Sequence, residues 1–535
     1  MTNSIEDVCE KSQVIFLIGS NPEEAHPVMG MRIRRAVERG AKLIVADPRS
    51  IWLAGKADIH LKLAPGTNVA LLNGMVNVII REGLYDREFV ESRTEGFEEI
   101  KAAVADYTPE HVAEICGVDA RDIVSAARMY ASVDRASIVY CLGVVEHTTG
   151  TEGVMAISNL ALVAGKLGKP GCGVNPLRGQ NNVQGACDMG AGPADFTGYQ
   201  KVANSDARAK FESAWGVELN EAPGLKATEC FPAMIDGRVK GLFLFGEDPV
   251  RTDPDTNHVI RALKSLDFLV VEELFLTETA KYADVVLPGR SYAEKEGTFT
   301  NTERRVQRVR RAVAGPVGPR LDTDVFAEIM CRMGYDQPKL TSAQIMDEIA
   351  SLTPSYAGIS HARLDSAAIA GRGLQWPCKG PDDPGTPIMH VGEFARGLGA
   401  FSFSPFRPSA ELPSPEFPLT MMTGRVLAQY NACAMTGRTE GLNCIAGESF
   451  IEMNAADAEA GGIADGDRVV VESRRGRIET TARVSGKTNP GQVWMPFHFQ
   501  DGNVNWLTNA ALDNVSATPE YKVCAVRVEK AQGKA

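Results

Sequence analysis

Apolar runs and helical patterns alternate along the first part of the chain. Val14–Gly19 is a continuous apolar run with the length of a buried strand. The next segment carries Val28, Ile33 and Val37 in a helical pattern, and Lys42–Ala46 then forms a second apolar run. A strand, a helix and a strand in this order predict a βαβ unit, in which a right-handed crossover joins two parallel strands.

This alternation continues and then restarts further along the chain. The segments that follow are helical in pattern at 68–82, 86–105, 119–133 and 153–168, and extended at 136–142. A second series of strand, helix and strand covers residues 241–246, 259–266 and 267–272. Two separate α/β units are therefore predicted.

The last part of the chain has a different pattern. Residues 371–418 are rich in Pro, Gly and Ser, which indicates a connecting segment over the surface. Beyond them, short β-branched runs such as Arg468–Glu472 are separated by turn signals, as is typical of a small β-barrel. The predicted fold class is α/β, with two parallel-sheet dinucleotide-binding domains and a C-terminal small β-barrel. The predicted boundaries are 1–178 for the first domain, 179–370 for the second, 371–418 for a linker and 419–535 for the barrel.

Composition bounds the partners that this chain can have. Its 535 residues, of which 44% are hydrophobic, suffice for about three or four domains with apolar cores. The formal net charge of −12 disfavours nucleic acid as a partner, because neutralising phosphates needs a basic face. No run approaches the ~18 apolar residues of a membrane-spanning helix, so direct membrane insertion is not predicted.

The eleven cysteines and eight histidines are scattered along the chain without a ligand motif. Neither a Cys-x-x-Cys pair nor a His-Glu-x-x-His motif occurs. We expect most of the cysteines to be reduced core residues, and we expect no metal to be bound by this chain alone.

A polar loop punctuated by glycines runs from Arg178 to Gly190. The guanidinium of Arg178 is a planar fork suited to a carboxylate or a phosphate, and four side-chain amides supply neutral donors and acceptors. These amides belong to Gln180, Asn181, Asn182 and Gln184. The residue types alone fit two interpretations equally, namely a site for a polar ligand and a surface turn rich in Asn and Gln.

Three loops follow strand ends in the first predicted domain, where α/β proteins bind their ligands. Their candidate residues are Gly19, Ser20, Asn21, Asp47, Arg49, Gly66 and Asn68. Asp47 has the chemistry to accept hydrogen bonds from a ribose or a guanine edge, and backbone N–H groups in such loops suit phosphate. The loops predict a nucleotide site, with NAD as one candidate although its glycine fingerprint is missing.

The second predicted domain repeats this theme after its strands. The residues concerned are Gly246, Glu247, Asp248, Thr252, Asp253, Glu272 and Thr277. They are interpreted either as a second nucleotide half-site or as ordinary helix capping, since Ser, Thr and Asp are expected where strands hand over to helices. A nearby arginine cluster, formed by Arg304, Arg305, Arg308, Arg310 and Arg311, is interpreted as a solvated basic face or as a pyrophosphate site.

The run Arg178–Gly190, together with the preceding Gly173–Leu177, resembles the active-site loop of molybdopterin-dependent formate dehydrogenases. Gly246–Pro249 and Glu296–Arg305 match the same family, and the resemblance extends over Met1–Lys530. It implies a catalytic subunit of an oxidoreductase that interconverts formate and carbon dioxide. It also implies two molybdopterin guanine dinucleotides, which together hold molybdenum or tungsten.

The resemblance further implies roles for individual residues. Arg178 would hold the substrate carboxylate, Gln180 the nearby pterin, and Arg304 a pterin or a pyrophosphate. In the barrel, the residues implied to contact the dinucleotides are Thr423, Arg425, Thr436, Asn509, Tyr521 and Lys522. His498 is expected to be a packed or surface histidine and not a ligand.

The family also has an N-terminal segment with a [4Fe–4S] cluster and a cysteine or selenocysteine metal ligand, which has no counterpart in this sequence. We therefore expect the cluster only in that missing segment, and we expect this chain to be inactive by itself. Two hypotheses would explain the missing segment. In the first, the sequence is the downstream part of a selenoprotein whose UGA codon was read as a stop, and in the second it is an ordinary gene fragment. The expected partners are iron–sulfur or NAD/hydrogenase-type electron-transfer subunits, and the expected compartment is the cytoplasm.

Two alternative functions fit the same resemblance less closely. One is another molybdopterin oxidoreductase, which would act on nitrate or a sulfur oxide. The other is a non-catalytic scaffold subunit of a respiratory complex that has kept the fold. The formate-type loop at Arg178 disfavours both.

Overall fold

Local sequence signals set the ends of several helices. The side chain of Ser4 accepts a hydrogen bond from a backbone N–H in the first turn of the helix that follows it, and Asp86 and Thr108 cap two further helices in the same way. Pro109 begins the helix after Thr108, where its missing N–H costs nothing, and Gly117 ends that helix in the left-handed conformation.

A computed structural model describes residues 1–532. The helices are α1 (Ile5–Lys11), α2 (Pro22–Ala25), α3 (Pro27–Glu38), α4 (Asn68–Arg81), α5 (Arg87–Arg93), α6 (Phe97–Ala103), α7 (Pro109–Cys116), α8 (Ala120–Ala131), α9 (Leu142–Val145), α10 (Gly150–Val163), α11 (Val183–Asp188), α12 (Ser205–Trp215), α13 (Ala227–Ile235), α14 (Pro249–Thr252), α15 (Thr256–Lys264), α16 (Asp322–Arg332), α17 (Ser342–Leu352), α18 (His361–Asp365), α19 (Glu440–Ala446) and α20 (Ala455–Ala460). The strands are β1 (Val14–Ile18), β2 (Lys42–Ala46), β3 (Ile59–Leu61), β4 (Thr94–Glu95), β5 (Ala136–Tyr140), β6 (Gly173–Pro176), β7 (Asp195–Phe196), β8 (Gln200–Lys201), β9 (Gly241–Phe245), β10 (Phe268–Glu273), β11 (Val285–Pro288), β12 (Gly297–Thr300), β13 (Arg305–Val309), β14 (Leu374–Gln375), β15 (Gly399–Ala400), β16 (Leu419–Gly424), β17 (Phe450–Asn454), β18 (Arg468–Glu472), β19 (Arg477–Ser485), β20 (Gln492–Pro496) and β21 (Cys524–Lys530).

The chain folds into two units, each built from separate stretches of sequence. Unit 1 comprises Met1–Gly179, Arg251–Val259 and the C-terminal stretch from Ile388. Unit 2 comprises Gln180–Val250 and Ile260–Pro387. The barrel therefore belongs to the same unit as the first α/β sheet. Thr252 and Asp253, which the sequence grouped with the second domain, also belong to unit 1.

The sheet of unit 1 is parallel and is covered by helices on both faces. Its strand order is β3-β2-β1-β5-β6, and Val14 of β1 pairs with Lys42 of β2 and Ala136 of β5. Alternate residues of β1 enter two different cores: Phe16 packs with residues of α4, α8 and α10, whereas Leu17 packs with residues of α1 and α3. This doubly wound arrangement confirms the predicted α/β fold class.

Two details of the first domain differ from the sequence-based prediction. Val28 is 60% exposed, so only part of the apolar pattern of α3 faces the core. The helical pattern at 86–105 is divided between α5 and α6, because Gly96 has a φ of +84° and interrupts the helix.

Unit 2 contains a three-stranded parallel sheet of order β11-β10-β9 and a three-stranded antiparallel sheet of order β12-β13-β14. In the parallel sheet, Val270 of β10 pairs with Phe243 of β9 and with Val285 of β11. The parallel sheet is the second α/β unit that the sequence predicted.

The C-terminal strands of unit 1 close into a barrel of order β16-β20-β17-β19-β18-β21. The interior is filled by alternate strand residues such as Met421, Ile451 and Val493, which are fully buried or nearly so. The predicted small β-barrel is thus confirmed.

The segment at 371–418 is more than a connection over the surface. Leu374 is buried and pairs through β14 with β13 in unit 2. In unit 1, the carbonyl oxygens of Ser402 and Ser404 accept hydrogen bonds from the buried amides of Asn159 and Asn73. The prediction of a surface segment is therefore wrong for these residues, because Pro and Gly content alone does not reveal which backbone groups are bonded inside.

All eleven cysteines are free thiols, and seven of them are buried. Most of the cysteines are core residues, as predicted. Within residues 1–532, no helix has both the length and the apolar character needed to cross a bilayer. The same residues contain no cluster of three or more His, Cys, Asp or Glu side chains arranged to hold a metal ion.

Candidate functional site

An open cavity lies in unit 1 at the carboxyl ends of the parallel strands. The chain runs outward from β1 to β3 on one side of the sheet and from β5 to β6 on the other, so the strand order reverses between β1 and β5. The loops after these two strands both line the cavity. Ligands of doubly wound proteins bind at such a switch point.

The cavity brings together the residues predicted from the first domain and three of those predicted from the barrel. The former are Gly19, Ser20, Asn21, Asp47, Arg49, Gly66 and Asn68, and the latter are Thr423, Arg425 and Lys522.

Two glycines allow the loops after β1 and β5 to touch. Gly19 has a φ of +55°, and a Cβ placed on it would lie 2.6 Å from the carbonyl carbon of Gly143. The reverse also holds, because a Cβ on Gly143 would lie 2.6 Å from the Cα of Gly19. The two backbones therefore meet directly at the floor of the switch point, and the N–H of Gly143 donates to the carbonyl of Gly19 at 2.9 Å.

Asp47 is a half-buried carboxyl directly after β2. Desolvation is the largest influence on it and raises its pKa from 3.8 to about 6, although a hydrogen bond from the backbone N–H of Arg49 (2.9 Å) and the charges of Arg49 and Lys522 act in the opposite direction. The Nε2 atom of His60 lies 3.1 Å from the backbone carbonyl of Asp47 and fixes the main chain there.

Arg49 is held from two sides within unit 1. Its guanidinium lies 3.8 Å from the ring centroid of Trp494, and it forms an ion pair with Glu452. Its Nε atom is buried without a hydrogen-bond partner among the described residues. Burying an N–H donor without a partner costs free energy, and an acceptor atom of a bound ligand would remove this cost.

The remaining loop residues add further polar atoms. Ser20 Oγ and Asn21 Oδ1 are buried and have no hydrogen-bond partner among residues 1–532. The side chain of Asn68, at the start of α4, donates to the carbonyl of Gly143 at 3.2 Å. Gly66 has a φ of +85° and packs against Ser409, whose Oγ would lie 2.4 Å from a Cβ at this position.

The barrel adds cations and hydroxyl groups to the cavity wall. Lys522 Nζ lies 2.6 Å from Glu146 and 3.1 Å from the carbonyl of Thr423, whose own hydroxyl donates to the carbonyl of Tyr521 at 2.9 Å. Arg425 stacks over Phe497 with its guanidinium carbon 4.8 Å from the ring centroid, and burial lowers its pKa.

Two residues at this site escaped the sequence analysis. Glu146 pairs with Lys522, and His147 lines the cavity with its Nε2 atom 3.0 Å from the carbonyl of Gly143. Burial lowers the pKa of His147 to about 4, so the ring is neutral at physiological pH. The only sequence signal for either residue was its position shortly after the strand β5.

Three predicted barrel residues do not line this cavity. The amide of Asn509 donates to the carbonyl of Val523 and accepts from the N–H of Ala511, so it serves the fold of the barrel. Thr436 accepts a hydrogen bond from the N–H of Tyr430. Tyr521 donates its hydroxyl hydrogen to the carbonyl of Thr252 at 2.9 Å. His498 is fully buried and accepts from the N–H of Val426, as expected for a packed histidine.

Arg178 lies two residues beyond the edge strand β6, next to this cavity in unit 1. Its positive charge acts on the phenol of Tyr140, whose pKa burial raises to about 12. The following Gly179 leaves room for Arg425, since a Cβ at Gly179 would lie 3.1 Å from Nη2 of that residue. The carbonyl of Arg178 is 2.6 Å from Nε2 of His26.

The rest of the polar loop belongs to unit 2, beginning with Gln180. Asn182 has a φ of +60° and accepts from the N–H of Thr300 at 2.9 Å. Gln184 donates to Asp188, a fully buried carboxylate that also accepts hydrogen bonds from Tyr199, Tyr356 and Trp376. These bonds organise the loop from inside, so the surface-turn interpretation is wrong for Asn182 and Gln184.

The candidate residues of unit 2 divide into capping and non-capping groups. Asp248 accepts hydrogen bonds from the N–H and the hydroxyl of Thr279, and Thr277 accepts from the N–H of Ala280. These bonds agree with the interpretation of both residues as caps. Glu272 at the end of β10 is buried, and neither of its carboxyl oxygens accepts a hydrogen bond from an N–H or O–H donor among residues 1–532. Desolvation, followed by the charge of Asp322 and by a hydrogen bond shared with that carboxyl, raises the pKa of Glu272 to about 7.

The loop after β9 has open space beside it. Gly246, at the end of β9, has a φ of +65°, and a Cβ there would meet nothing within 4 Å. Glu247 follows it in the same loop of unit 2. In unit 1, the hydroxyl of Thr252 donates to Asp253 at 3.0 Å, and desolvation raises the pKa of Asp253 to about 6.

The arginine cluster of unit 2 is not a solvated basic face throughout. Arg304 is only 2% exposed, bonds to the carbonyl of Trp376 and has a pKa that burial lowers to about 10. Arg305 pairs with Glu303 at 2.8 Å. The interpretation as a solvated face is therefore wrong for Arg304, whose guanidinium is enclosed by protein.

A doubly wound sheet with cations and unpartnered polar atoms at its switch point, in one unit with a β-barrel, defines a class of proteins that bind nucleotide-type cofactors. The family described as "Molybdopterin oxidoreductase" matches residues 1–332, and the "Molydopterin dinucleotide binding domain" matches residues 419–525. This chain belongs to the molybdopterin oxidoreductase family. The family inferred from the Arg178–Gly190 loop is thereby confirmed.

Named relatives point in the same direction. The F420-dependent formate dehydrogenase 2 subunit alpha of Methanococcus maripaludis is 49% identical over 99% of this chain and 78% of its own length. Formate dehydrogenase H of Escherichia coli is 40% identical over 99% of this chain and 74% of its own length. Among solved structures, the acetylene hydratase of Pelobacter acetylenicus has the same fold, with a TM-score of 0.75 at 22% identity over 99% of this chain and 79% of that chain.

The residues present fit a molybdopterin dinucleotide. Its phosphates need cations and N–H donors, which Arg49, Arg425 and Lys522 would supply in unit 1. Its purine and pterin edges need acceptors, which Asp47 and the unpartnered Asn21 Oδ1 would provide. The family matches assign a molybdopterin cofactor with its metal to the chain.

Proposed function

We propose that this chain is the cofactor-binding body of a formate dehydrogenase catalytic subunit, which interconverts formate and carbon dioxide. The observation that carries the proposal is the position of Arg178, which follows the edge strand β6 in unit 1. The next residue, Gly179, packs against Arg425, which lines the cavity. The relatives named as formate dehydrogenases support it over almost the whole chain. These relatives disfavour the nitrate, sulfur-oxide and scaffold alternatives.

Unit 1 would hold one guanine dinucleotide in the cavity at its switch point. Asp47 would accept hydrogen bonds from the N–H groups of the guanine, which would repay the cost of burying its charge. Arg49 and Lys522 would neutralise phosphate oxygens, with the free Nε of Arg49 as one donor. Ser20 and Asn21 would complete the hydrogen bonds of the loop after β1.

Unit 2 would hold a second dinucleotide. Gly246 leaves open space at the end of β9, and the buried Glu272 carboxyl at the end of β10 accepts no hydrogen bond from an N–H or O–H donor among the described residues. A bound guanine or ribose would supply the missing donors. Asp248 and Thr277 would act indirectly, by fixing the turn at residues 277–280 through their capping bonds.

The bound molybdenum or tungsten cofactor supplies the two-electron redox chemistry that converts formate, by loss of a proton and two electrons, into carbon dioxide. Arg178 would bind the formate carboxylate with both arms of its guanidinium and so fix the direction of the C–H bond. Gln180 would hold the adjoining pterin or shape the pocket. Arg425 adds a second cation near the carboxylate and raises the local attraction for an anion.

Electrons from formate would then pass to iron–sulfur or NAD/hydrogenase-type electron-transfer subunits, as expected for a protein whose relatives are alpha subunits. The [4Fe–4S] cluster that the resemblance implies would take part in this transfer. Eleven free thiols favour a reducing compartment, and we therefore propose the cytoplasm.

The Arg178 assignment is tested by changing Arg178 to Lys in the assembled complex. Lysine keeps the positive charge but loses the planar fork, so formate would still be attracted but would be held less well in its reacting geometry. The expected result is a decrease in kcat/KM for formate on the order of a hundredfold. Steady-state kinetics measures this decrease, and elemental analysis checks that the metal content is unchanged.

Arg81→Lys is the matched control, because Arg81 is an exposed arginine at the end of α4. It should leave both kinetics and metal content at the level of the unaltered protein. Near-normal formate turnover in Arg178→Lys with full metal content would refute the assignment. Turnover of nitrate instead of formate by the unaltered complex would favour the alternative oxidoreductase.

A further inference from the structure

His26 contacts the main chain of Arg178 directly. It lies between α2 and α3, in the segment that follows β1, and its Nε2 atom is 2.6 Å from the carbonyl oxygen of Arg178. A carbonyl oxygen only accepts hydrogen bonds, so Nε2 must carry the hydrogen. Burial lowers the pKa of His26, and the charge of Arg425 adds to this effect, so the ring is the neutral Nε2–H tautomer.

The His26 bond follows two other hydrogen bonds at the point where the chain leaves the sheet. The strand β6 lies at the edge of the five-stranded sheet, and Leu177 N–H donates to the carbonyl of Tyr140 as the chain leaves the strand. The thiol of Cys141 then donates to the carbonyl of Leu177 at 3.1 Å. The bond from His26 is the third in this series. From the segment after β1, His26 reaches past the end of β5 to the carbonyl of Arg178, the residue after Leu177.

The same short segment also holds the barrel loop that carries Arg425. A carboxylate oxygen of Glu24 accepts a hydrogen bond from the N–H of Leu427 at 2.6 Å. Glu24 and His26 therefore hold the two stretches of backbone that carry Arg425 and Arg178. The two guanidinium-bearing stretches approach each other at Gly179.

We propose that His26 is a positioning residue that fixes the backbone of Arg178, and thereby the direction of its guanidinium, by donating Nε2–H to the Arg178 carbonyl. It does not contact the substrate. The consequence for formate turnover rests on the function proposed above, whereas the hold on the backbone does not.

The test compares two amides at position 26 in the assembled complex. In His26→Gln, the amide nitrogen reaches about as far as Nε2 of histidine and can donate to the same carbonyl. In His26→Asn, the amide nitrogen reaches only as far as Nδ1 and leaves the carbonyl without its donor. His111→Asn, a change of an exposed histidine on α7, is the control for the loss of an imidazole.

Hydrogen–deuterium exchange of the peptide that contains residues 177–183 is the primary readout, because it does not depend on activity. We expect exchange to be faster by roughly tenfold in His26→Asn, as for the loss of one buried hydrogen bond, and near the unaltered rate in His26→Gln and His111→Asn. Unchanged exchange in His26→Asn, or equal acceleration in His26→Gln, would overturn the proposal.

Formate kinetics on the same proteins separates this proposal from the proposed function. If both are correct, kcat falls in His26→Asn at unchanged metal content and recovers in His26→Gln. If exchange accelerates while formate kinetics stays unchanged, His26 holds the backbone as proposed and the assignment of Arg178 to formate fails.

Discussion

The fold partly desolvates the carboxyl group of Asp47, which disfavours its ionised form. This carboxyl is half-buried, and desolvation raises its pKa to about 6. At neutral pH the group is nevertheless largely ionised, because the N–H of Arg49 and the charges of Arg49 and Lys522 stabilise the carboxylate in part. A desolvated carboxylate with spare acceptor capacity is costly to the fold and useful for binding an N–H edge.

We predict that Asp47→Asn stabilises the cofactor-free protein at pH 8. The folded-state pKa lies above the ordinary value of 3.8, so the folded state holds the proton more tightly, and ionisation between about pH 4 and 6 costs stability as the pH rises. The rise from 3.8 to about 6 corresponds to roughly 3 kcal/mol, which asparagine avoids. Urea denaturation at pH 8 and pH 4 measures the gain, which should vanish at the lower pH.

Asp58→Asn is the control with the opposite sign. Partial burial opposes ionisation of Asp58, but hydrogen bonds from Lys42 and from the N–H of Leu43 lower its pKa overall. Its carboxylate therefore stabilises the fold above the unfolded pKa, and this contribution is lost as the pH falls. Asparagine at position 58 should destabilise the protein at pH 8, and a loss of stability in Asp47→Asn at that pH would contradict the account.

Residues that line the cavity could be predicted from sequence where their type and position agreed. Asp47 and Arg49 follow a clear apolar strand, which places them at the ligand edge of a parallel sheet. Glu146 and His147 follow β5 after a short helix, so no local pattern distinguished them from other loop residues. Asn509 was predicted to contact the cofactor only because of the family resemblance. Its amide forms hydrogen bonds with the backbone of Val523 and Ala511 within the barrel.

At the scale of elements, the contact between the loops after β1 and β5 determines the floor of the cavity. Gly19 and Gly143 touch through their backbones, and either Cβ would come within 2.6 Å of the other residue. This contact joins the two strands between which the strand order reverses.

We predict that Gly19→Ala destabilises unit 1 by about 3 kcal/mol, because a Cβ adds overlap with Gly143 to the strain of a positive φ. Gly40→Ala is the matched control: Gly40 has a φ of +102° but nothing within 4 Å of a Cβ, so only strain remains, at about 1 kcal/mol. Urea denaturation followed by circular dichroism compares the two. Equal losses would show that the contact with Gly143 contributes nothing.

The regular elements of the first sheet could be predicted because their strands are continuous apolar runs, as expected for a sheet covered on both faces. The helical pattern at 86–105 could not reveal its own interruption, since Gly96 breaks the helix through its backbone and not through its apolar spacing. Apolar spacing also does not guarantee burial. Val28 is in helical register with the core face of its helix and is nevertheless exposed.

At the scale of the whole molecule, the order of residues along the chain differs from their grouping in space. The chain leaves and re-enters unit 1 at residues 179–180, 250–251, 259–260 and 387–388. Sequence patterns describe contiguous stretches, so they predicted the sheets and the barrel but not the membership of residues 251–259 or the packing of residues 402 and 404 in unit 1. Long-range pairing of this kind leaves no periodic signal.

We propose that this chain binds two molybdopterin guanine dinucleotides, one at Asp47 in unit 1 and the other at Glu272 in unit 2. The most direct measurement is the ratio of GMP, released by acid hydrolysis of the purified complex, to molybdenum plus tungsten determined by elemental analysis. The account predicts two GMP and one metal ion per chain. A complex that holds neither, or that holds one metal ion with a single GMP, would contradict it.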